Sequence, residues 1–126
     1  MHVNGYILGV PEEMKAAYVA VAKLFAEVAK DFGALEIFEN WEVEVPDGEQ
    51  TDYRRAVKAL PGEKIVFSWV IWPDRETGAA AHKGMFSDPR MKDVGSMPFD
   101  GKRMIIGGFE PIVTYQRHVD PGENNS

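Results

Sequence analysis

At 126 residues, 44% hydrophobic and 27% charged, the chain has the size and balance of one compact domain with a sizeable core. Its formal charge of −6 argues against nucleic acid as a partner, because phosphate binding draws on a basic surface. The absence of cysteine excludes disulfides, thiolate metal sites and thiol nucleophiles, and no apolar run approaches the length of a membrane span.

The opening residues, MHVNGYILGV, lack the basic lead and long apolar stretch of a secretory signal, so a cytoplasmic protein is expected. Within them Tyr6 to Val10 reads as a short strand closed by Pro11. From Pro11 to about Phe32, Met14, Ala17, Tyr18, Val21, Leu24, Phe25, Val28 and Phe32 recur at three- and four-residue spacing. That spacing predicts an amphipathic helix, started by Pro11 and stopped by Gly33.

Leu35 to Val45 alternates as a strand, with Leu35, Ile37, Trp41, Val43 and Val45 on one face. Two residues break the alternation: Phe38 stands on the polar face and Glu39 on the apolar one. After the Pro46-Asp47-Gly48 turn, Thr51 to Ala59 is consistent with a short helix. Lys64 to Trp72 is apolar on both faces, as a strand covered on both sides would be. Asp74 can cap a second helix reaching about Phe86, and Ser87 to Met91 has the grammar of another short helix. Arg103 to Tyr115 is the last predicted strand, with a bulge or close backbone approach at Gly107-Gly108.

The elements thus alternate as strand, helix, strand, strand, helix, strand. An α+β ferredoxin-like βαββαβ fold with an antiparallel sheet is the standard solution for that order. One domain is expected over 1–116, followed by a disordered polar tail at 117–126. Helices would cover one sheet face, and no element remains for the other. A second copy of the chain is the expected cover, which makes a homodimer.

Charge is unevenly spread. Eight carboxylates and no Lys or Arg fall between Asp31 and Asp52, whereas five basic residues face three acidic ones between His82 and Arg103. The asymmetry is that of two solvated surfaces, or of surfaces that orient two copies of the chain.

Five segments taken together, GALEIFENWEVEVPDG, TDYRRAVKA, IVFSWVIWP, SDPRM and SMPFDGKRMIIGGFE, resemble the YbaA-like bacterial family, a domain of unknown function (DUF 1428). The similarity runs in order from about Gly5 to about Ile112. It implies the dimeric α+β barrel superfamily, in which two ferredoxin-like subunits press their sheets into one barrel. Relatives in that superfamily include cofactor-free monooxygenases, isomerases, haem enzymes and ligand-sensing domains. The family supplies no catalytic residues to carry over.

Glu39 is the first candidate for chemistry, as a general acid or base on an apolar strand face; a structural ion pair with Arg54, Arg90 or Arg103 is the competing assignment. His82, on the second helix, is a candidate proton carrier or, more weakly, a haem ligand, against a plain packing role. Trp41 and Trp69, with Trp72, Phe67 and Phe99, are candidates to line an aromatic pocket, or simply core. Arg90 and Arg103, with Lys92 and Lys102, are candidate anion contacts. No metal site and no cofactor are expected. Three functional readings follow: a homodimer binding a small apolar or aromatic ligand, a cofactor-independent monooxygenase- or isomerase-like enzyme, and a structural or partner-binding dimer.

Overall fold

The longest ladder in the sheet joins β1 (His2–Pro11) to β3 (Glu63–Trp72), antiparallel and in unbroken register from His2 opposite Trp72 to Pro11 opposite Glu63. The structure is a computed structural model that describes residues 1–117. The expected tail beyond Arg117, with His118, lies outside the described residues. β2 (Glu36–Trp41) pairs with the free side of β3, and β4 (Ile105–Phe109) with the free side of β1, giving the antiparallel order β2-β3-β1-β4. This is the expected ferredoxin-like α+β arrangement.

Two helices lie on one face: α1 (Lys15–Asp31), entered through a 3-10 turn at Glu12–Met14, and α3 (Arg75–Ser87). Between β2 and β3 comes the one-turn α2 (Tyr53–Ala56), and after α3 the one-turn α4 (Pro89–Lys92). Asp74 caps α3 by accepting the Thr77 amide at 2.7 Å. Gly33, at φ +106°, ends α1 in the left-handed conformation while the Ala34 amide returns to the Ala29 carbonyl.

The core is the layer between sheet and helices. Val28 and Ala29 of α1 and Ala81 of α3 press on Val70 and Trp72, all essentially inaccessible. Leu8, Val10, Val66 and Tyr18 form a second cluster beside them. Gly78 and Gly84, which cost helix propensity in α3, earn their place by proximity. A Cβ at Gly84 would collide with the Phe32 ring, and one at Gly78 would sit 3.0 Å from Trp72.

The opposite sheet face carries Phe38, Phe67, Trp69, Ile105 and Phe109. Tyr53 of α2 packs edge-on to Phe67 with ring centroids 6.1 Å apart, but no helix layer covers the face among the described residues. Phe67 is 40% exposed and Phe109 is 61% exposed. Phe38 stacks on Trp69 with ring centroids 4.9 Å apart.

Two strands are shorter than their alternation predicts. β2 stops at Trp41: the Glu42 amide still donates to the Ile65 carbonyl at 2.9 Å, but the Ile65 amide is taken by the Glu42 carboxylate at 2.8 Å, which also meets Arg54. β4 stops at Phe109, where β1 runs out of partners at Val3. Gly107-Gly108 makes no bulge, since the register with β1 is continuous. The glycines serve close approach instead: the Phe109 ring folds back over Gly107 and Gly5, and the His2 ring lies against Gly108. His2 therefore belongs to a strand and not to a loose end.

Candidate functional site

Strand register decides which side chains meet. Glu39 lies opposite Ser68, and Ser68 lies opposite Tyr6, which lies opposite Ile106. This row crosses the whole sheet on its helix-covered face. Large side chains at its ends and a small serine in the middle leave space above the sheet. A cavity of about 320 Å³ occupies that space, between the row below and α1 and α3 above.

Its walls are apolar and soft. Phe25 comes from α1, Met85 from α3, Met91 from α4, and Met97, Phe99 and Met104 from the segment that leads into β4. Four of the six methionines in the chain thus face one cavity. Methionine walls adapt to irregular ligands because the side chain is unbranched and polarizable. The exposed side chains of Phe86 and Met97 rim the mouth. An open groove of about 290 Å³ between α1 and β2 reaches the same carboxylate from the other side, past Lys15, Lys23 and Trp41.

The polar groups form two pairs. The Tyr18 hydroxyl donates to both carboxylate oxygens of Glu39, at 2.9 and 3.1 Å. The second pair is Tyr6 and His82, with Oη and Nε2 3.2 Å apart. His82 Nδ1 lies 2.9 Å from the Gly78 carbonyl oxygen, which can only accept, so Nδ1 carries the hydrogen. In the neutral ring Nε2 is then the acceptor and Tyr6 the donor.

The electrostatics follow from burial. Glu39 is exposed through the cavity and groove, with protein packed around its carboxylate. Desolvation raises its pKa above the ordinary carboxylate value, although hydrogen bonds from Tyr18 and Ser68 pull the other way. Burial, with the Glu39 charge nearby, pushes Tyr6 up to about 12 and raises Tyr18 further, so both phenols stay protonated across the physiological range.

The arginines named as possible partners of Glu39 are engaged elsewhere. Arg54 pairs with Glu42, and Arg90 holds Asp31 at 2.8 Å and Asp88 at 2.9 Å. Arg103 grips Glu63 at 2.7 Å and Asp100 at 3.2 Å. Among the described residues Glu39 has no ion pair. Arg90 and Arg103 line neither hollow, and each is engaged by carboxylates of its own chain.

The candidates therefore separate. Glu39 and His82 meet in one cavity, and Trp41 borders the adjoining groove with the Lys15 ammonium 5.2 Å above its ring. Trp69 lies on the opposite sheet face, its Nε1 donating to Glu36 at 3.0 Å, and takes no part in the cavity. Trp72 is core, bonded through Nε1 to Asn4 at 2.8 Å. Sequence reasoning missed Tyr6, Tyr18, Ser68 and the methionines. The crowding of four methionines between Met85 and Met104 was the available signal. No group of three or more His, Cys, Asp or Glu able to hold a metal occurs among the described residues.

Comparison with known proteins agrees with this architecture. Residues 1–101 match the family model described as a protein of unknown function, DUF1428. The chain is 53% identical over 113 residues to the uncharacterized protein YbaA of Escherichia coli strain K12, covering 89% of this chain and 97% of that one. The YbaA protein of Shigella flexneri matches to the same extent. Among solved structures, an uncharacterized NIPSNAP domain protein from Burkholderia xenovorans superposes with a TM-score of 0.54 at 10% identity, over 93% of this chain and all of that one. At that identity the likeness speaks for the fold alone.

Proposed function

The chain belongs to the DUF1428 family, and from that premise we propose that it is a cytoplasmic homodimer whose subunits each bind a small apolar or aromatic ligand between sheet and helices. The observation that carries this reading is the cavity of about 320 Å³ floored by Glu39, Ser68 and Tyr6. Its size suits a compact ligand, and its walls combine an apolar majority with a few convergent polar groups, the usual composition of a binding site. A core that needed only to be solid would fill this space, since interiors pack to crystal density.

The dimer follows from the uncovered sheet face. Phe38, Phe67, Trp69, Ile105 and Phe109 form a continuous apolar surface on the side away from the helices. Patches of this kind mark interaction surfaces. A second copy of the same face is self-complementary about a two-fold axis.

A second reading, a cofactor-independent enzyme that moves a proton, draws on one specific observation. Glu39, with its raised pKa, shares the cavity with the Tyr6–His82 couple, so two groups able to handle protons flank one space. Binding needs only saturation, whereas this reading needs turnover.

Native mass spectrometry of freshly purified protein tests the first reading. A mass of twice the chain, shifted by a retained small molecule that is lost on mild activation, is the expected result. A monomer in which no probe of suitable size saturates the cavity would discard it.

A further inference from the structure

The hydrogen-bond inventory of the cavity is one-sided. The Tyr18 proton is directed at Glu39, and the Tyr6 proton at His82 Nε2. The His82 Nδ1 proton goes to the Gly78 carbonyl. Every side-chain donor in this set is already satisfied within the chain. What remains directed at the space is chiefly a set of acceptors, the spare lone pairs of the Glu39 carboxylate and of the Tyr6 and Tyr18 oxygens, with the Ser68 hydroxyl able to donate or to accept.

Charge points the same way. No Lys or Arg lines the cavity, so an anionic ligand would be desolvated there without a partner, next to a carboxylate. Glu39 itself lacks a cation among the described residues, while Phe25, Phe99 and Tyr18 place aromatic rings in the cavity lining, which suits one. Lys15 and Lys23 approach Glu39 from α1 only along the outer groove.

Resting on the ligand-binding reading above, we infer that the cavity takes a hydrogen-bond donor, best a protonated amine carried on an apolar or aromatic body, with Glu39 as its counter-ion. The carboxylate accepts the ammonium hydrogens that its own chain leaves unmatched, and Tyr6 and Tyr18 offer further acceptors. The methionine and phenylalanine walls enclose the body. An isosteric carboxylate meets acceptors opposite acceptors and is rejected. Binding depends on pH through Glu39 and the amine, with Tyr18, Lys15 and Lys23 of α1, Tyr6 of β1 and His82 of α3 as the titratable groups around them.

The test uses the intact protein near neutral pH and three probes that share one bicyclic body: naphthylethylamine, naphthylacetate and ethylnaphthalene. The amine should bind about 10- to 100-fold more tightly than the carboxylate, the worth of a charge-assisted hydrogen bond in a semi-enclosed site. Amide shift changes should centre on Ser68 and Tyr18. Glu39→Gln should abolish the preference for the amine over the carboxylate. Equal or tighter binding of naphthylacetate overturns the inference and leaves the cavity reading standing. A preference for the amine that survives in Glu39→Gln, or that maps away from Ser68, also overturns it. Failure of all three probes to bind removes the cavity reading and this inference together. Should the variant not fold, the wild-type ranking and the shift map still decide.

Discussion

Glu39 and Glu63 are two glutamates on neighbouring strands, and the chain treats them in opposite ways. Glu63, at the start of β3, is 6% exposed and fully matched: both guanidinium nitrogens of Arg103 reach it, at 2.7 and 2.8 Å, and the Leu60 amide donates at 2.8 Å. Its pKa is lowered, chiefly by the Arg103 hydrogen bonds. Glu39, in β2, receives a phenol but no cation among the described residues, and its pKa is raised, chiefly by desolvation. The contrast separates a closed structural pair from an open site. In the first the protein supplies the counter-ion; in the second the place of the counter-ion is a cavity.

The largest effect expected from disturbing this contrast lies on the closed side. Arg103→Met strands the Glu63 carboxylate and should cost about 2 kcal/mol near neutral pH, less than a fully desolvated pair because solvent still reaches the guanidinium. Because Glu63 is depressed in the folded state, its contribution is present above the ordinary value of 4.5 and is lost as pH falls through the folded value. The Arg103→Met deficit should therefore shrink in acid. Urea unfolding at fixed protein concentration and several pH values measures it, and an equal deficit at all pH values would count against the pairing.

Tyr18→Phe is expected to act more mildly, at about 1 kcal/mol, since one hydrogen bond is lost from a carboxylate that cavity water can reach. Its sharper signature is electrostatic. With the donor gone, Glu39 should titrate still higher, which carboxyl-carbon NMR reads directly; an unchanged titration would mean that the phenol does not hold the carboxylate. Smallest, and opposite in sign, is Glu39→Gln. A raised carboxylate penalises the folded state as pH rises from the unfolded value through the folded one. The variant should match or slightly exceed wild-type stability near neutral pH and lose that advantage in acid. A clear loss at neutral pH would place Glu39 among the structural pairs.

Much of this contrast is legible in the sequence, and the reason it is not all legible is geometric. Alternation alone puts Glu39 on the apolar face of its strand and Ile65, Phe67, Trp69 and Ile71 opposite Val66, Val70 and Trp72, because a strand has period two. It cannot say which face of one strand matches which face of the next, since that depends on register. Trp41 and Trp69, candidates for one aromatic pocket by sequence, accordingly lie on opposite sides of the sheet. Tyr18 and Tyr6 stayed hidden because their partners are 21 and 76 residues away, across packing contacts that no local pattern encodes. The strands end at Trp41 and Phe109 although the alternation continues; past Trp41 the Glu42 carboxylate takes the Ile65 amide that the next ladder bond needs, which alternation does not encode.

The most direct test follows both glutamates in one titration. Carboxyl-carbon NMR of the intact protein, with and without naphthylethylamine, reports Glu39 and Glu63 side by side. We predict that Glu39 titrates above the ordinary carboxylate value in the free protein and falls when the ammonium binds, while Glu63 stays low in both. A Glu39 that titrates as low as Glu63 in the free protein, or that does not move when the probe saturates, would contradict the account.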